Sequence, residues 1–261
     1  MPITRRRVRT LIVVCAVSMI VAAAAAIVSL AGDLERIDGY WTAARLTDGG
    51  LAVTEVIDYD FGPNQRRGIY RNVPSVVPGT ISVSSPTAPD DFRVTDSGFN
   101  TEIRIGDPSV TIDGRHRYRI EYILDRAAVV ADGFLSWNGV GLDWTVPIDN
   151  VEIWLSVDGD LTTPQCQQGT PWEASECALV SAGDGLYTVT IESLSLGQGV
   201  TVSGPLSLDG GAASLPPLTT LAAGSDPGSG PIAPLAITFI SALVAGVGAT
   251  FAVRRAGRER V

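Results

Sequence analysis

The chain has 261 residues, of which 45% are hydrophobic and 18% are charged, and its formal net charge is −9. This composition excludes a disordered or fibrous chain and is typical of a folded domain combined with membrane segments. All 19 basic residues are arginine, and the region between the two termini holds 11 of them with 27 of the 28 acidic residues. Phosphate backbones repel such an acidic region, so nucleic acid is excluded as a partner.

An uncharged apolar segment at residues 11–31 follows a basic N-terminus, residues 1–10. A helix of this length spans about 30 Å, the thickness of a bilayer core. Two interpretations stay open: a transmembrane helix that is retained, and a signal peptide that is cleaved after Ala31. Both interpretations place the residues that follow outside the cytoplasm.

The central region, residues 33–206, has the alternating pattern of half-buried strands. Two strands are predicted at residues 37–46 and 51–61, and the sequence Asp48-Gly49-Gly50 between them suits a hairpin turn because Asp and Gly tolerate positive φ. The second strand alternates between an apolar face and a polar face. The apolar face holds Leu51, Val53, Ile57, Tyr59 and Phe61, and the polar face holds Thr54, Asp58 and Asp60.

Further strands are predicted where short apolar or alternating segments lie between turn residues. These segments are residues 102–105, 116–124, 151–157, 186–191 and 200–203. No segment with helical period lies between them. The sequence therefore predicts an all-β fold: an antiparallel β-sandwich extracytoplasmic domain, flanked by N- and C-terminal transmembrane helices.

Cys166 and Cys177 bracket a segment rich in Gln, Gly and Pro that would face an oxidising compartment. This context predicts a disulfide between them, and closing so short a loop is worth about 3 kcal/mol in entropy models. A catalytic or metal-binding pair would need nearby histidines or a Cys-x-x-Cys spacing, and the sequence has neither. Cys15 lies in the first apolar segment without a partner.

Residues 207–230 are rich in Gly, Ser, Pro, Ala and Leu, which predicts a flexible linker. A second uncharged apolar segment follows at residues 232–253 and is followed by a basic tail, residues 254–261. This stop-transfer pattern predicts a transmembrane helix, which makes the lipid bilayer a partner. Arginines on the same side of both segments predict that both termini are cytoplasmic if the first helix is retained.

The best candidate for a binding site is the segment from Gln65 to Arg71. It holds Arg66, Arg67, Tyr70 and Arg71 in an otherwise acidic domain. Arginine guanidinium groups suit carboxylates or phosphates, and the glycine at position 68 permits close backbone approach. The alternative is structural, with these arginines paired to nearby aspartates of the second strand and Tyr70 covering the end of the sandwich.

A second candidate site contains Trp137, Asn138 and Trp144. Tryptophan rings with a neighbouring amide are typical of grooves that bind a glycan or a peptide. A tryptophan packed between two sheets explains the same residues without a ligand.

Catalytic chemistry has little support in the sequence. His116 is the only histidine, no nucleophile-elbow sequence is present, and no metal or cofactor site is predicted. The enzymatic alternative is a hydrolase that uses two carboxylates on either side of a glycosidic bond. Its candidate residues are Asp58, Asp60, Asp90, Asp91, Asp143 and Asp149, most of which turn or strand positions also explain.

An ordered set of motifs resembles the predicted membrane proteins grouped as domain of unknown function 2207. The resemblance covers about residues 33–205 and implies an extracytoplasmic domain between membrane helices, with no activity attached. The motifs that carry it are Glu35-Arg36-Ile37-Asp38, Asp58-Tyr59-Asp60-Phe61-Gly62, Arg67-Gly68-Ile69-Tyr70-Arg71-Asn72-Val73-Pro74, Tyr118-Arg119-Ile120-Glu121-Tyr122 and Trp144-Thr145-Val146-Pro147-Ile148.

These observations favour a membrane-anchored, extracytoplasmic module of a cell envelope without catalytic activity. Such a module has a structural role or binds an envelope protein or a wall polymer through loops or an exposed edge strand. An envelope hydrolase with paired carboxylates is the alternative.

Overall fold

The computed structural model describes residues 35–98, 100–207 and 214–215. The predicted membrane segments at residues 11–31 and 232–253, together with both basic termini, lie outside the described residues. Within the described ranges no helix is long and apolar enough to cross a bilayer. The described residues are those of the predicted β domain and three residues of the predicted linker, 207, 214 and 215.

The described chain consists almost entirely of β-strands, which confirms the predicted all-β fold. A short helix, α1 Arg126–Val129, begins after Asp125, whose side chain accepts a hydrogen bond from the Ala127 amide. Numbered in chain order, the strands are β1 Arg36–Thr47, β2 Gly50–Asp60, β3 Ile69–Pro74, β4 Ser82–Ser84, β5 Phe92–Asp96, β6 Asn100–Ile105, β7 Arg115–Leu124, β8 Val130–Ala131, β9 Phe134–Val140, β10 Ile148–Ser156, β11 Asp160–Leu161, β12 Gln165–Thr170, β13 Glu173–Glu176, β14 Leu179–Gly183, β15 Leu186–Leu194 and β16 Gly199–Ser207.

The largest sheet has seven strands in the order β14-β15-β10-β1-β2-β7-β4. The predicted hairpin of β1 and β2 lies near the centre of this sheet. Its two strands are antiparallel, the last pair is Thr47 opposite Gly50, and Asp48 and Gly49 form the turn. Antiparallel pairing prevails, as predicted, but β1 and β10 pair in parallel. Local periodicity does not specify the direction of a partner so distant along the chain, so this pairing could not be predicted from the sequence.

Two smaller antiparallel sheets complete the described fold. One has six strands in the order β13-β12-β16-β9-β8, with β11 also paired to β16. The other has three strands in the order β3-β6-β5. The three-stranded sheet carries Ile69 to Arg71, the end of the segment from Gln65 to Arg71 that the sequence singled out.

Side chains from all three sheets enter one hydrophobic core. The predicted apolar face of β2 is buried there, including Leu51, Val53 and Ile57. Strands β9 and β10 belong to different sheets but approach closely. If Gly139 of β9 had a Cβ atom, that atom would lie only 2.9 Å from Ile153 Cδ1 of β10. The two larger sheets therefore pack as layers with their apolar faces inward.

The opposite face of the seven-stranded sheet carries a smaller apolar cluster. Ala43 and Val56 form its buried part, and Trp41, Trp154 and Leu215 pack against them. Leu215 lies in the segment predicted as a flexible linker. At least this residue of the linker therefore contacts the domain.

The predicted disulfide between Cys166 and Cys177 is confirmed, with the two Cα atoms 5.0 Å apart. The bridge joins β12 to the residue after β13, and the Cys177 amide donates a hydrogen bond to the Cys166 carbonyl at 3.0 Å. The β12–β13 hairpin is therefore closed covalently at its open end.

Replacing both Cys166 and Cys177 by Ser is expected to lower the free energy of unfolding by about 3 kcal/mol, because the unfolded chain regains the entropy of a short loop. Denaturant unfolding of the purified protein measures this loss. Reduction of the wild-type disulfide should give a similar loss, and an unchanged unfolding midpoint in both cases would contradict the prediction.

Candidate functional site

A buried ion pair joins strands β2 and β3. The alternation of β2 turns Glu55 inward between Val53 and Ile57, where it is 1% exposed, and Arg71 from β3 is 3% exposed. Arg71 Nε donates to Glu55 Oε2 at 2.9 Å, and Arg71 Nη2 donates to Glu55 Oε1 at 2.7 Å. Two parallel hydrogen bonds are the strong form of an arginine–carboxylate pair.

Neighbouring groups make further hydrogen bonds to this pair. The Tyr122 hydroxyl donates to Glu55 Oε1 at 2.7 Å, and Arg71 Nη1 donates to the Asn72 carbonyl at 2.5 Å. The Arg71 guanidinium also lies 5.6 Å from the ring centroid of Trp144, a cation–π contact. A buried ion pair is tolerated only when its charges are compensated in this way.

The ionisation of Glu55 depends on Arg71. Burial opposes the charge on Glu55, but the charge and hydrogen bonds of Arg71 and the hydroxyl of Tyr122 outweigh it, so the pKa of Glu55 is lowered from its ordinary 4.5. Burial raises the pKa of Tyr122 well above its usual value. At neutral pH, Glu55 is therefore a carboxylate and Tyr122 is a neutral hydrogen-bond donor.

Arg71 was predicted as a candidate binding residue in a loop, and the structure places it elsewhere. Residues from Ile69 onward form β3, so successive side chains point to opposite faces of the three-stranded sheet. Arg71 points into the core, where Glu55 occupies its guanidinium. Tyr70 points outward and is 57% exposed. An external ligand can therefore reach Tyr70 but not Arg71.

A row of large polar side chains crosses the outer face of the three-stranded sheet. Tyr70 of β3 is directly opposite Arg104 of β6, and Arg104 is directly opposite Arg93 of β5. Residues directly opposite share one face, and like charges in that position destabilise a sheet. The two arginines therefore form a local concentration of positive charge on an otherwise acidic domain.

The loop before β3 adds two more arginines to this row and encloses a pocket of about 480 Å³. We call it the arginine pocket. Its lining comprises Gln65, Arg66, Arg67, Gly68, Tyr70, Arg104, Ile105 and Thr111. The pocket therefore combines three guanidinium groups with an exposed phenol ring.

Two glycines hold this loop against the end of β6. Gly68 has a φ of +114°, and a Cβ atom there would lie 1.8 Å from the Ile105 carbonyl oxygen. Gly106 has a φ of +123°, and its Cβ atom would lie 2.1 Å from the Arg67 carbonyl oxygen. Only glycine suits both the backbone angle and the close approach. The position of Arg67 beside β6 therefore depends on this pair.

The arginines of the pocket differ in their partners. Arg66 Nε makes an ion pair with Glu35 Oε1 at 2.6 Å. Arg67 and Arg104 make no ion pair within the described residues. Arginine without a carboxylate partner is suited to bind an external anion.

The structural alternative had paired the loop arginines with aspartates of β2, but other arginines occupy those aspartates. Asp58 binds Arg117, with Nε to Oδ1 at 2.5 Å, and Asp60 binds Arg115, with Nε to Oδ2 at 3.1 Å. These two carboxylates also belong to the set proposed for hydrolysis. Both are therefore engaged in ion pairs.

The tryptophan candidates do not line the arginine pocket. Trp137 points inward from β9, Trp144 packs beside Arg71, and both are buried. Asn138 is exposed and accepts a hydrogen bond from Thr201 Oγ1 at 2.8 Å. Strand alternation separates Trp137 from Asn138, so the three residues do not form the groove that their proximity in sequence suggested.

His116 is held by backbone carbonyl groups. Its Nδ1 lies 2.7 Å from the Thr87 carbonyl oxygen, and its Nε2 lies 2.9 Å from the Asp113 carbonyl oxygen. Both ring nitrogens therefore have structural partners.

Sequence reasoning missed Glu55, Arg93 and Arg104. A signal existed for Glu55, since it falls on the apolar face of the β2 alternation, where an ionised residue needs a buried partner. The two arginines had no local signal, because only the register of β3, β5 and β6 brings them beside Tyr70.

The described residues define an all-β domain with a buried ion pair and an arginine-lined surface pocket. Residues 36–204 match the family described as predicted membrane protein (DUF2207), N-terminal domain. The chain therefore belongs to this family of predicted membrane proteins, as the resemblance implied. A comparison with curated proteins finds no match.

Solved structures show only distant similarity. An M1 zinc metallopeptidase from Deinococcus radiodurans has 11% sequence identity and a TM-score of 0.38, over 66% of this chain and 42% of that chain. A mutant of a two-domain M1 zinc metallopeptidase bound to L-tryptophan has 10% identity and a TM-score of 0.37, over 66% of this chain and 43% of that chain. The chain thus spans less than half of either metallopeptidase, and this similarity does not extend their activity to it.

Replacing Glu55 by Gln is expected to cost about 3–5 kcal/mol of unfolding free energy at pH 7, because it leaves the Arg71 charge buried without a counterion. A carboxylate with a lowered pKa stabilises the fold above its ordinary pKa, and this contribution is lost as the pH falls. The difference in unfolding free energy between wild type and Glu55→Gln should therefore shrink below about pH 4.5. Denaturant unfolding at pH 7, 5, 4 and 3 measures it.

The control for this experiment is Glu192→Gln, which changes an exposed carboxylate on β15. It should alter the unfolding free energy by less than about 0.5 kcal/mol at neutral pH. A Glu55→Gln effect that stays constant down to pH 3 would show that the pair is not the source of the stability.

Replacing Gly68 by Ala is expected to cost about 2 kcal/mol or more of stability, because the new methyl group meets the Ile105 carbonyl as well as an unfavourable φ. Gly79→Ala is a matched control, since Gly79 also has positive φ but has no atom within 4 Å of its added Cβ. Thermal unfolding of both variants separates the clash from the φ strain. Equal losses would contradict close packing at Gly68.

Proposed function

We propose that this chain is a membrane-anchored, extracytoplasmic binding module of a cell envelope that has no catalytic activity. Its binding surface is the arginine pocket, and its ligand presents an anionic group, a carboxylate or a phosphate, on an envelope protein or a wall polymer. The observation that carries the proposal is the presence of Arg67 and Arg104 at one pocket, without an ion-pair partner among the described residues.

Electrostatics support this choice of surface. The central region carries 27 acidic residues and 11 arginines, so a pocket with two arginines that make no ion pair among the described residues stands out from its surroundings. Hydrogen bonds from guanidinium to an anion are worth about 1.5–3 kcal/mol each when one partner is charged. Two such arginines can therefore supply most of the affinity for a small anionic group.

The lining of the pocket supports binding rather than catalysis. It contains arginine, tyrosine, glutamine, threonine, glycine and isoleucine, and it has no carboxylate, histidine or cysteine. General acid–base catalysis most often uses His, Asp or Glu, and a hydroxyl nucleophile such as Thr needs activation, commonly by an adjacent base. The described lining offers cationic recognition and an aromatic surface instead.

Membrane attachment is supported by the sequence and by the family. Two uncharged apolar segments with basic flanks, residues 11–31 and 232–253, bracket the domain. The family itself is described as predicted membrane proteins. We infer that the domain lies outside the cytoplasm and that the second segment is retained as a membrane helix.

The proposal predicts that small anions stabilise the full-length protein in detergent micelles. A ligand that binds only the folded state raises the unfolding temperature by mass action. We expect phosphate or citrate, added at constant ionic strength, to raise this temperature for wild type and to have no effect on the double variant Arg67→Ala and Arg104→Ala. Thermal unfolding followed by tryptophan fluorescence gives the readout.

Arg45→Ala is the matched control, since it removes an arginine of β1 that does not line the pocket. Its anion response should equal that of wild type. Comparing phosphate with citrate distinguishes the two ligand chemistries. The same response in all three proteins would show that any anion effect arises outside the arginine pocket.

A further inference from the structure

The charges of the domain are segregated along the chain. All 11 of its arginines lie at or before Arg126, whereas residues 127–207 hold ten acidic residues and no basic residue. The strands from β8 to β16 therefore present only negative charge. A partner for this part of the domain must be positively charged, because like charges repel over the surface.

The most exposed large apolar side chain of the described residues lies in this acidic part. Trp172 is 94% exposed. Thr170 is opposite Glu173 in the β12–β13 pairing, so Pro171 and Trp172 form the two-residue turn at the tip. The disulfide between Cys166 and Cys177 closes the other end of the same hairpin. We call this element the tryptophan hairpin.

A rigid hairpin with an exposed indole at its tip has the properties of a binding anchor. Tryptophan is enriched among interface residues that dominate affinity, since one ring buries a large area at low entropic cost. The covalent closure reduces the conformational freedom that association would otherwise remove. Among the described residues, Trp172 is left uncovered, so its indole is available to a separate molecule.

The arginine pocket has the complementary chemistry. Guanidinium groups such as those of Arg67 and Arg104 stack on indole rings and pair with carboxylates. Trp172 offers the indole, and Glu173 beside it offers the carboxylate. The pocket volume of about 480 Å³ is in the range of sites that hold a small ligand, about 300–1,000 Å³.

We propose that the tryptophan hairpin of one copy binds the arginine pocket of a second copy. This inference rests on the proposed function of the pocket and names its partner. The two surfaces differ, so the contact is head-to-tail and generates a ring or an open row of molecules. Copies anchored in one membrane share an orientation and a raised effective concentration, which favours such a contact.

The charge pattern favours this partner over the bilayer. Exposed tryptophan is also typical of membrane interfaces. However, Glu173 and Glu176 flank Trp172 and the whole segment 127–207 lacks a basic residue, so an anionic lipid surface repels the hairpin. The arginine pocket of a second copy attracts the same residues.

The test uses the full-length protein in its native membrane, expressed in two copies with different affinity tags. One copy carries the photo-crosslinking residue p-benzoylphenylalanine in place of Tyr70, at the rim of the pocket. We expect a crosslink between the two tagged copies, with mass spectrometry mapping the attachment to residues 167–176 of the second copy. A crosslink to lipid, to a different protein or to another part of the chain would overturn the proposal.

Variants in the second copy identify the contacts. Trp172→Ala should reduce the yield of this crosslink by about tenfold or more, as expected for an interface anchor. Leu196→Ala is the matched control, because Leu196 is also an exposed apolar residue of the acidic part, and it should leave the yield unchanged. Equal yields with both variants would remove Trp172 from the interface.

A charge exchange tests the electrostatic part. Arg67→Glu in the copy with the crosslinker should lose the crosslink, and combining it with Glu173→Arg in the second copy should restore it. Restoration cannot come from a folding defect, since a second defect would not repair the first. Failure of the exchanged pair to recover any crosslink would contradict the assigned pairing.

The anion experiment separates this inference from the proposed function. Trp172→Ala leaves the pocket intact, so phosphate or citrate should still raise its unfolding temperature. An anion response without a crosslink between copies would overturn the head-to-tail contact alone. The absence of an anion response in wild type would overturn the binding function of the pocket itself.

Discussion

The buried pair of Glu55 and Arg71 is the constraint on which the arrangement of the site depends. A two-point hydrogen bond tolerates little displacement, so it fixes β3 of the small sheet relative to β2 of the large sheet. Once Arg71 points inward, strand alternation turns Tyr70 outward, and the close contact between Gly68 and Gly106 holds the preceding loop beside β6. The position of the surface pocket therefore depends on an ion pair in the core.

Arginine has two roles in this domain, and burial decides between them. Arg71 is desolvated and its charge is compensated by a carboxylate, a backbone carbonyl and an aromatic ring, so it contributes to structure. Arg104 lies on the outer face opposite Arg93, where like charges oppose folding. This unfavourable pair supports the proposal that the pocket binds an anion, because such binding would offset the repulsion.

Local periodicity was enough for the parts of the fold whose strands have one buried face. The β1–β2 hairpin, β7, β10 and β15 followed from alternation and turn residues, and the disulfide followed from two cysteines in an oxidising context. Strands β12 and β13 had no such signal because they are mostly polar, and an exposed strand needs no apolar face. The alternation of Phe92, Arg93, Val94 and Thr95 in β5 was a signal that sequence reasoning missed. The membrane segments stay predictions, supported by hydropathy, arginine placement and family membership.

By itself, the sequence determined that this protein is an all-β member of its family, with a hairpin, a disulfide and an arginine-rich segment after β2. Only the tertiary structure decided that Arg71 belongs to the core, that Trp137 and Trp144 are buried, and that Arg104 lies beside Tyr70. The physical reason is that alternation along a strand specifies which residues share a face but not which strand lies beside it. Register and direction between distant strands, such as the parallel pairing of β1 with β10, arise only when the whole core forms.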